Sequence, residues 1–182
     1  MDEDLLDDES TAGSGHERPA LESGEIVVFE VGRHVCGLRL ERVREIVLMC
    51  ELAQPPGLPP LLEGMLNLRG EITPVVRTDR LFNLPPILFR RYTQLVVLRG
   101  PTPLALLSER VRNVITLAAA DLLPAPKNSV FNHCLAGVLP AAQGPIHVLD
   151  MERLLLVQEE QRISELQRIA QSRLAKLEEA KP

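Results

Sequence analysis

The 182-residue chain contains no tryptophan, and aromatic residues make up only 3% of it. A groove that stacks bases or sugars on rings is therefore poorly supplied. Its three cysteines, Cys36, Cys50 and Cys134, form no Cys-x-x-Cys pair, and an odd number argues against a disulfide framework. No apolar run approaches the ~18 residues that a membrane span requires, so no direct membrane insertion is expected. No basic segment followed by an apolar one opens the chain, so no signal peptide is read and a reducing, cytoplasmic setting is expected. His16, His34, His133 and His147 lack the HxxxH and HExxH spacings of metal sites. His133 and Cys134 are adjacent, and strand neighbours point to opposite faces, which makes a poor chelate. GxSxG, phosphate-loop and GxGxxG signatures are all missing. No catalytic residue, cofactor or metal is expected, and the chain reads as a non-enzyme. His147, in an apolar run, reads as a packed residue rather than a base. Cys36 and Cys50 read as small buried hydrophobes.

What is present is a hydrophobic fraction of 45%, enough to build a core. The net charge of −5 is unevenly spread. Residues 1–22 hold eight acids and one base, leaving 17 acids and 19 bases elsewhere. The acidity belongs to a tail, 1–22, expected to be disordered and solvated. The near-neutral body lends no support to nucleic-acid binding. At the other end, no Gly or Pro occurs from Asp150 to Lys181. Ile163, Leu166, Ile169, Ala170, Leu174 and Leu177 recur at helical spacing. An amphipathic helix over 158–182 is expected, docked on the body or reserved for a partner.

Between these ends, 23–157 reads as one β-rich domain. Strands are expected at 25–31, 34–40, 43–49, 64–68 and 71–76, and again at 93–99, 103–108, 111–117, 135–140 and 145–150. Gly32-Arg33 is a two-residue hairpin signal. Thr78 reads as the cap of a single helical turn at 78–82. The two sets of five strands echo each other. Glu-Arg-Val-Arg occurs at 41–44 and at 109–112, Gly64 matches Gly137, and "PVVRTDRLF" from 74 matches "HVLDMERLL" from 147. These echoes fall in the same order, which marks an internal repeat. Five short strands can close into a small barrel, which removes sheet edges. Two barrels sharing a core would avoid the marginal stability of one.

One polar constellation stands apart from this scaffold. In "GMLNLRGEITPV", Leu66 and Leu68 point to one face and Asn67 and Arg69 to the other, with Gly70 placed for a tight turn. In "VREIV", Val43, Glu45 and Val47 share a face on which Glu45 is the only charge. Neighbouring strands would let Arg69 and Glu45 form a bidentate pair. The matching positions in the second copy are Ala142 and Asn113, so both charges are absent there. That joint loss fits a site present once; two independent surface charges fit it too.

With its two sets of strands, its "VREIV" and its Pro-rich loop, "GMLNLRGEITPVV" resembles the CheW-like domain of bacterial chemotaxis coupling proteins, over roughly 23–157. The resemblance implies two five-stranded SH3-like β-barrels, here followed by a long C-terminal helix. It implies a non-catalytic adaptor that joins a chemoreceptor's cytoplasmic tip to the regulatory domain of a CheA-type histidine kinase. It also implies a place in receptor arrays on the inner face of the membrane. Val43, Glu45, Asn67 and Arg69 are the receptor-binding residues it implies. Arg77 departs from the family's usual Asp, which Asp150 keeps in the second copy, and Thr73 occupies a usually apolar site. The competing reading is an accessory module of the same fold that recruits another partner through its C-terminal helix.

Overall fold

A computed structural model describes residues 22–126, 131 and 134–179. The expectations for the acidic tail up to residue 21, and for His133, lie outside them. The strands are β1 (Gly24–Val31), β2 (His34–Arg39), β3 (Val43–Leu48), β4 (Leu62–Leu68), β5 (Glu71–Val76), β6 (Gln94–Leu98), β7 (Ala105–Ser108), β8 (Arg110–Leu117), β9 (Leu123–Pro124), β10 (Leu135–Leu139) and β11 (Ile146–Leu149). A single turn, α1 (Thr78–Leu81), follows β5, and the long helix α2 spans Val157–Glu179. Two sheets result, ordered β3-β6-β7-β5-β4 and β8-β1-β2-β11-β10-β9. All ten expected strands are present. Neither sheet is closed edge to edge by strand pairing among the described residues.

Sheet membership does not follow the repeat. The first copy supplies β1 to β5 and the second supplies β6 to β11, yet each sheet draws strands from both. The copies exchange their first two strands, and the sheet orders correspond when β3 is matched with β8, β6 with β1, and β7 with β2. The repeated Glu-Arg-Val-Arg marks the crossovers, where the chain leaves β2 for β3 and β7 for β8. The exchange welds the halves. Val27, Phe29 and Val31 of β1 enter one core, while Ile26 and Val28 enter the other. A strand buried on both faces must be apolar throughout, which is why "IVVF" does not alternate.

The eleventh strand has its own counterpart in the first copy. A Cβ on Gly64 would lie 2.6 Å from Leu52 Cβ, and one on Gly137 would lie 2.6 Å from the Leu123 carbonyl oxygen. In both copies the Pro-bearing segment crosses tightly over this glycine. It makes one bridge in the first copy, Ala53 with Met65, and two pairs in the second, which constitute β9.

Helix α2 packs Ile163, Leu166, Ala170 and Leu174 against the larger core. Leu177, assigned to the same face from its spacing, is 70% exposed. The helix runs antiparallel to β5, with Gln167 reaching Ile72 and Gln171 reaching Gly70. Residue 177 therefore lies about 9 Å past the β4–β5 turn at 1.5 Å per residue, beyond the end of the strand on which the helix packs.

Candidate functional site

The β4–β5 hairpin turns in two residues, Arg69 and Gly70, with φ of 56° and 88°. A two-residue turn with both central φ positive matches the twist of the strands. Gly70 occupies this region freely, whereas Arg69 is strained by ~1–2 kcal/mol. Asn67 Oδ1 accepts from the Gly70 N–H at 2.8 Å and braces the turn. Leu66 and Leu68 are buried and Asn67 is exposed, as alternation requires. Arg69 itself lies in the turn rather than on the strand.

Glu45 lies on β3, at the opposite edge of the five-stranded sheet from β4, so the two charges are not on neighbouring strands. The sheet curls until these edges meet through side chains. Arg69 Nη2 lies 3.2 Å from Glu45 Oε2. This is one contact, not the expected fork, because Glu45 is shared: Arg44 Nε lies 3.5 Å from its Oε1. Arg44 Nη1 donates in turn to Glu71, and the Arg44 guanidinium is held above its ordinary pKa, chiefly by that bond. Four charges thus link β3 to the hairpin. The Arg69 side chain is 77% exposed and that of Glu45 only 22%, so the arginine is presented and the glutamate anchors it. Val43, by contrast, is buried in the core beneath. The exposed apolar residues of β3 are Ile46 and Leu48, which alternation alone did not single out.

The register of β3 explains how Arg44 reaches the hairpin. It is the extra residue of a bulge between Val43 and Glu45. Arg112 holds the same position in β8, where the ladder to β1 also shifts. Its Nη1 lies 3.5 Å from Gln143 Oε1 on the β10–β11 hairpin, and its Nε donates to Glu30 at 2.6 Å. Burial would raise the Glu30 carboxyl, but bonds from Arg112 and Arg110 outweigh it and hold it below the usual range. A bulge arginine therefore reaches the hairpin of its own sheet in both copies. The echo Arg44/Arg112 was the signal for this role. Only the first copy adds the Glu45–Arg69 contact; Asn113 is exposed and makes no such pair.

Arg77, the residue out of keeping with the resemblance, is buried. It meets Asp79 through Nε at 2.9 Å and Nη2 at 2.5 Å, and Glu63 through Nη1 at 2.9 Å. Its guanidinium lies 5.2 Å from the centre of the Phe89 ring. Asp79 also accepts from the Ile87 N–H at 2.8 Å, which pins the segment leading to β6. Burial would raise the Asp79 carboxyl; Arg77 and that N–H hold it below its usual range. Arg77 is held well above its own, first by Asp79 and then by Glu63. Asp150, the matching residue, instead caps a short turn by accepting from the Glu152 N–H at 3.0 Å. The expected cap at Thr78 is not made: Thr78 is the first helical residue, and its buried hydroxyl, like that of Thr73, has no partner among the described residues.

Cys36 is buried, and its thiol is pushed far up by burial. Cys134 is buried and pushed up to about 11 by burial and nearby carboxylates. Cys50 is exposed, contrary to its reading as a buried hydrophobe, because it lies just past the end of β3. His147 stacks on Phe131 at 4.5 Å and donates from Nδ1 to the Val35 carbonyl at 3.1 Å. Burial holds its pKa below the ordinary value. Among the described residues no group of three or more His, Cys, Asp or Glu side chains is arranged to hold a metal, and no helix is long and apolar enough to cross a membrane.

Known proteins resemble this arrangement. Residues 25–159 match the CheW-like domain. A chemotaxis protein CheW of Treponema pallidum is 25% identical over 80% of this chain and 89% of its own. The chemotaxis protein CheW of Klebsiella aerogenes is 25% identical over 74% of this chain and 83% of its own. The crystal structure of scaffolding protein TtCheW from Thermoanaerobacter tengcongensis superposes with a TM-score of 0.70 at 22% identity, covering 81% of this chain and 96% of that one. The match spans well over half of the chain, which belongs to the CheW-like domain family.

Proposed function

We propose that this member of the CheW-like family is a non-catalytic adaptor that couples chemoreceptors to a CheA-type histidine kinase. It would act in the cytoplasm, at receptor arrays on the inner face of the membrane. Residues around the curled edge of the five-stranded sheet meet the receptor tip: Glu45, Asn67 and Arg69, over the buried Val43. The observation that carries this reading is the charge pair built once on a twofold-repeated scaffold. An asymmetric scaffold needs only one receptor-facing edge, and a pair that is both unshared and presented at the surface suits that edge, unlike the unshared Arg77–Asp79 pair, which is buried in the fold. Arg69 is exposed, strained and pre-positioned, which suits a residue held for a partner. Family membership supports the scaffold role.

The test is a bridging assay with a purified receptor-tip fragment and a purified kinase regulatory domain. The full chain is expected to bind both at once. Binding to neither would contradict the adaptor reading. The alternative, recruitment of another factor through α2, is less well supported because Ile163, Leu166, Ala170 and Leu174 pack on the chain's own core.

A further inference from the structure

Among the described residues β7 joins β5 only at Val75 and Val76, and the first half of β5 has no strand on that side. Yet Ile72 is not left unpaired. Gln171 Oε1 accepts from the Ile72 N–H at 2.7 Å, and Gln167 Nε2 donates to the Ile72 carbonyl at 2.8 Å. Gln171 Nε2 also donates to the Gly70 carbonyl at 2.8 Å. Residues four apart on a helix share one face, so the two amides act together as a substitute for a strand. An open edge otherwise invites pairing with another chain. One of the bonds does more than cover the edge, because Gly70 is the second residue of the turn that carries Arg69. The turn is held by Asn67 from within the hairpin and by Gln171 from the helix.

We infer that α2 positions Arg69: Gln171, supported by Gln167, locks the Arg69–Gly70 turn in its left-handed conformation and so aims the guanidinium at the receptor tip. This rests on the receptor-facing reading of Arg69. It gives the helix a task in binding without a contact of its own. Gln171 is a positioning residue, and losing its bonds lets the strained arginine relax out of the turn geometry.

The test uses the full chain with Gln171→Leu, Arg69→Asn and the double variant. Asn tolerates left-handed φ, so Arg69→Asn keeps the turn and removes the guanidinium. Titration against a receptor-tip fragment should show Gln171→Leu weakening affinity about fivefold, with no further loss in the Arg69→Asn background. Amide exchange at Ile72 should accelerate in Gln171→Leu while that at Val75 stays unchanged. Gln171→Glu keeps the acceptor for Ile72 and removes the donor to Gly70, and it serves if the leucine variant fails to fold. If Arg69→Asn weakens binding and Gln171→Leu or Gln171→Glu does not, the positioning role is wrong and the receptor site stands. A Gln171 effect that persists undiminished without Arg69 also overturns it. If Arg69→Asn itself leaves binding unchanged, the receptor site falls and this inference with it.

Discussion

The two hairpins of the repeat, one turning at Arg69–Gly70 and the other between β10 and β11, rest on the same supports and carry different tips. Each faces a bulge arginine, Arg44 or Arg112, across a curled sheet. Each rises from a strand whose glycine admits a crossing segment. At the tips the correspondence ends: Arg69 pairs with Glu45 in the first, and the matching positions of the second hold Ala142 and Asn113. Shared residues therefore report what the fold needs, and unshared ones what a single edge needs. Arg77 warns against applying that rule blindly. It too is unshared, but it is buried between Asp79 and Glu63 and serves the fold.

The largest expected effect comes from breaking that buried contrast. Arg77→Ala strands Asp79 in the interior, and breaking one partner of such a pair costs about 3–5 kcal/mol. Thermal unfolding should show a fall of roughly 10 °C for a chain of this size, whereas Asp150→Ala, at the matching surface position, should cost only about 1 kcal/mol as a lost cap. Equal losses would erase the distinction between the two copies here.

Next come the crossing glycines. Gly64→Ala and Gly137→Ala each force a methyl group into a neighbour at 2.6 Å, and overpacking of this kind costs about 1–3 kcal/mol. Denaturant midpoints should fall by similar amounts, since the copies share this feature. A loss confined to one copy would show that the repeat's supports are not equivalent.

Asp79 sharpens the comparison through pH. Its folded pKa is depressed, so the unfolded state binds its proton first as pH falls. The stability it contributes is complete above the unfolded value near ~4 and is lost as pH drops through the folded value. Asp79→Asn should therefore flatten the acid limb of the stability curve below about pH 4. An unchanged acid limb would mean that Asp79 does not titrate differently on unfolding.

The smallest expected effect is at the second tip. Asn113→Ala and Gln143→Ala should change stability by no more than ~0.5 kcal/mol and leave receptor-tip affinity within error by titration. Equal sensitivity of the two tips would remove the argument for one receptor-facing edge.

Much of this was legible in the chain. Apolar runs such as "IVVF" and "LVVL" announced strands, and the ordered echoes announced the repeat. The exchange of strands between copies was not legible, because alternation places residues on faces but does not say which sheet a strand joins. The joint absence of Glu45 and Arg69 from the second copy pointed to a pair but fitted two independent surface charges as well, so their proximity was only half legible. Its geometry could not, since the contact arises from curling of the sheet and from a bulge that depends on register. Leu177 misled because periodicity describes the helix and not the length of sheet beneath it. Arg77 read as an anomaly until its burial against Asp79 was visible, two residues away on a turn whose direction no spacing rule supplies. Gln167 and Gln171 carried no signal, as glutamines on a polar helix face ordinarily meet water.

The claim that matters most is that Glu45 and Arg69 form one receptor-binding unit, and a double-mutant cycle tests it directly. Isothermal titration of the wild type, Glu45→Gln, Arg69→Asn and the double variant against a receptor-tip fragment supplies the four affinities. Exposed pairs stabilise the fold by only ~0–1 kcal/mol, so all four proteins should fold alike. A charge left unpaired at an interface costs about 2–5 kcal/mol, so each single variant should bind at least tenfold more weakly while kinase-domain binding persists. The double variant should lose clearly less than the sum of the singles, because both remove the same interaction. Strictly additive losses, or no loss from either single variant, would contradict the account.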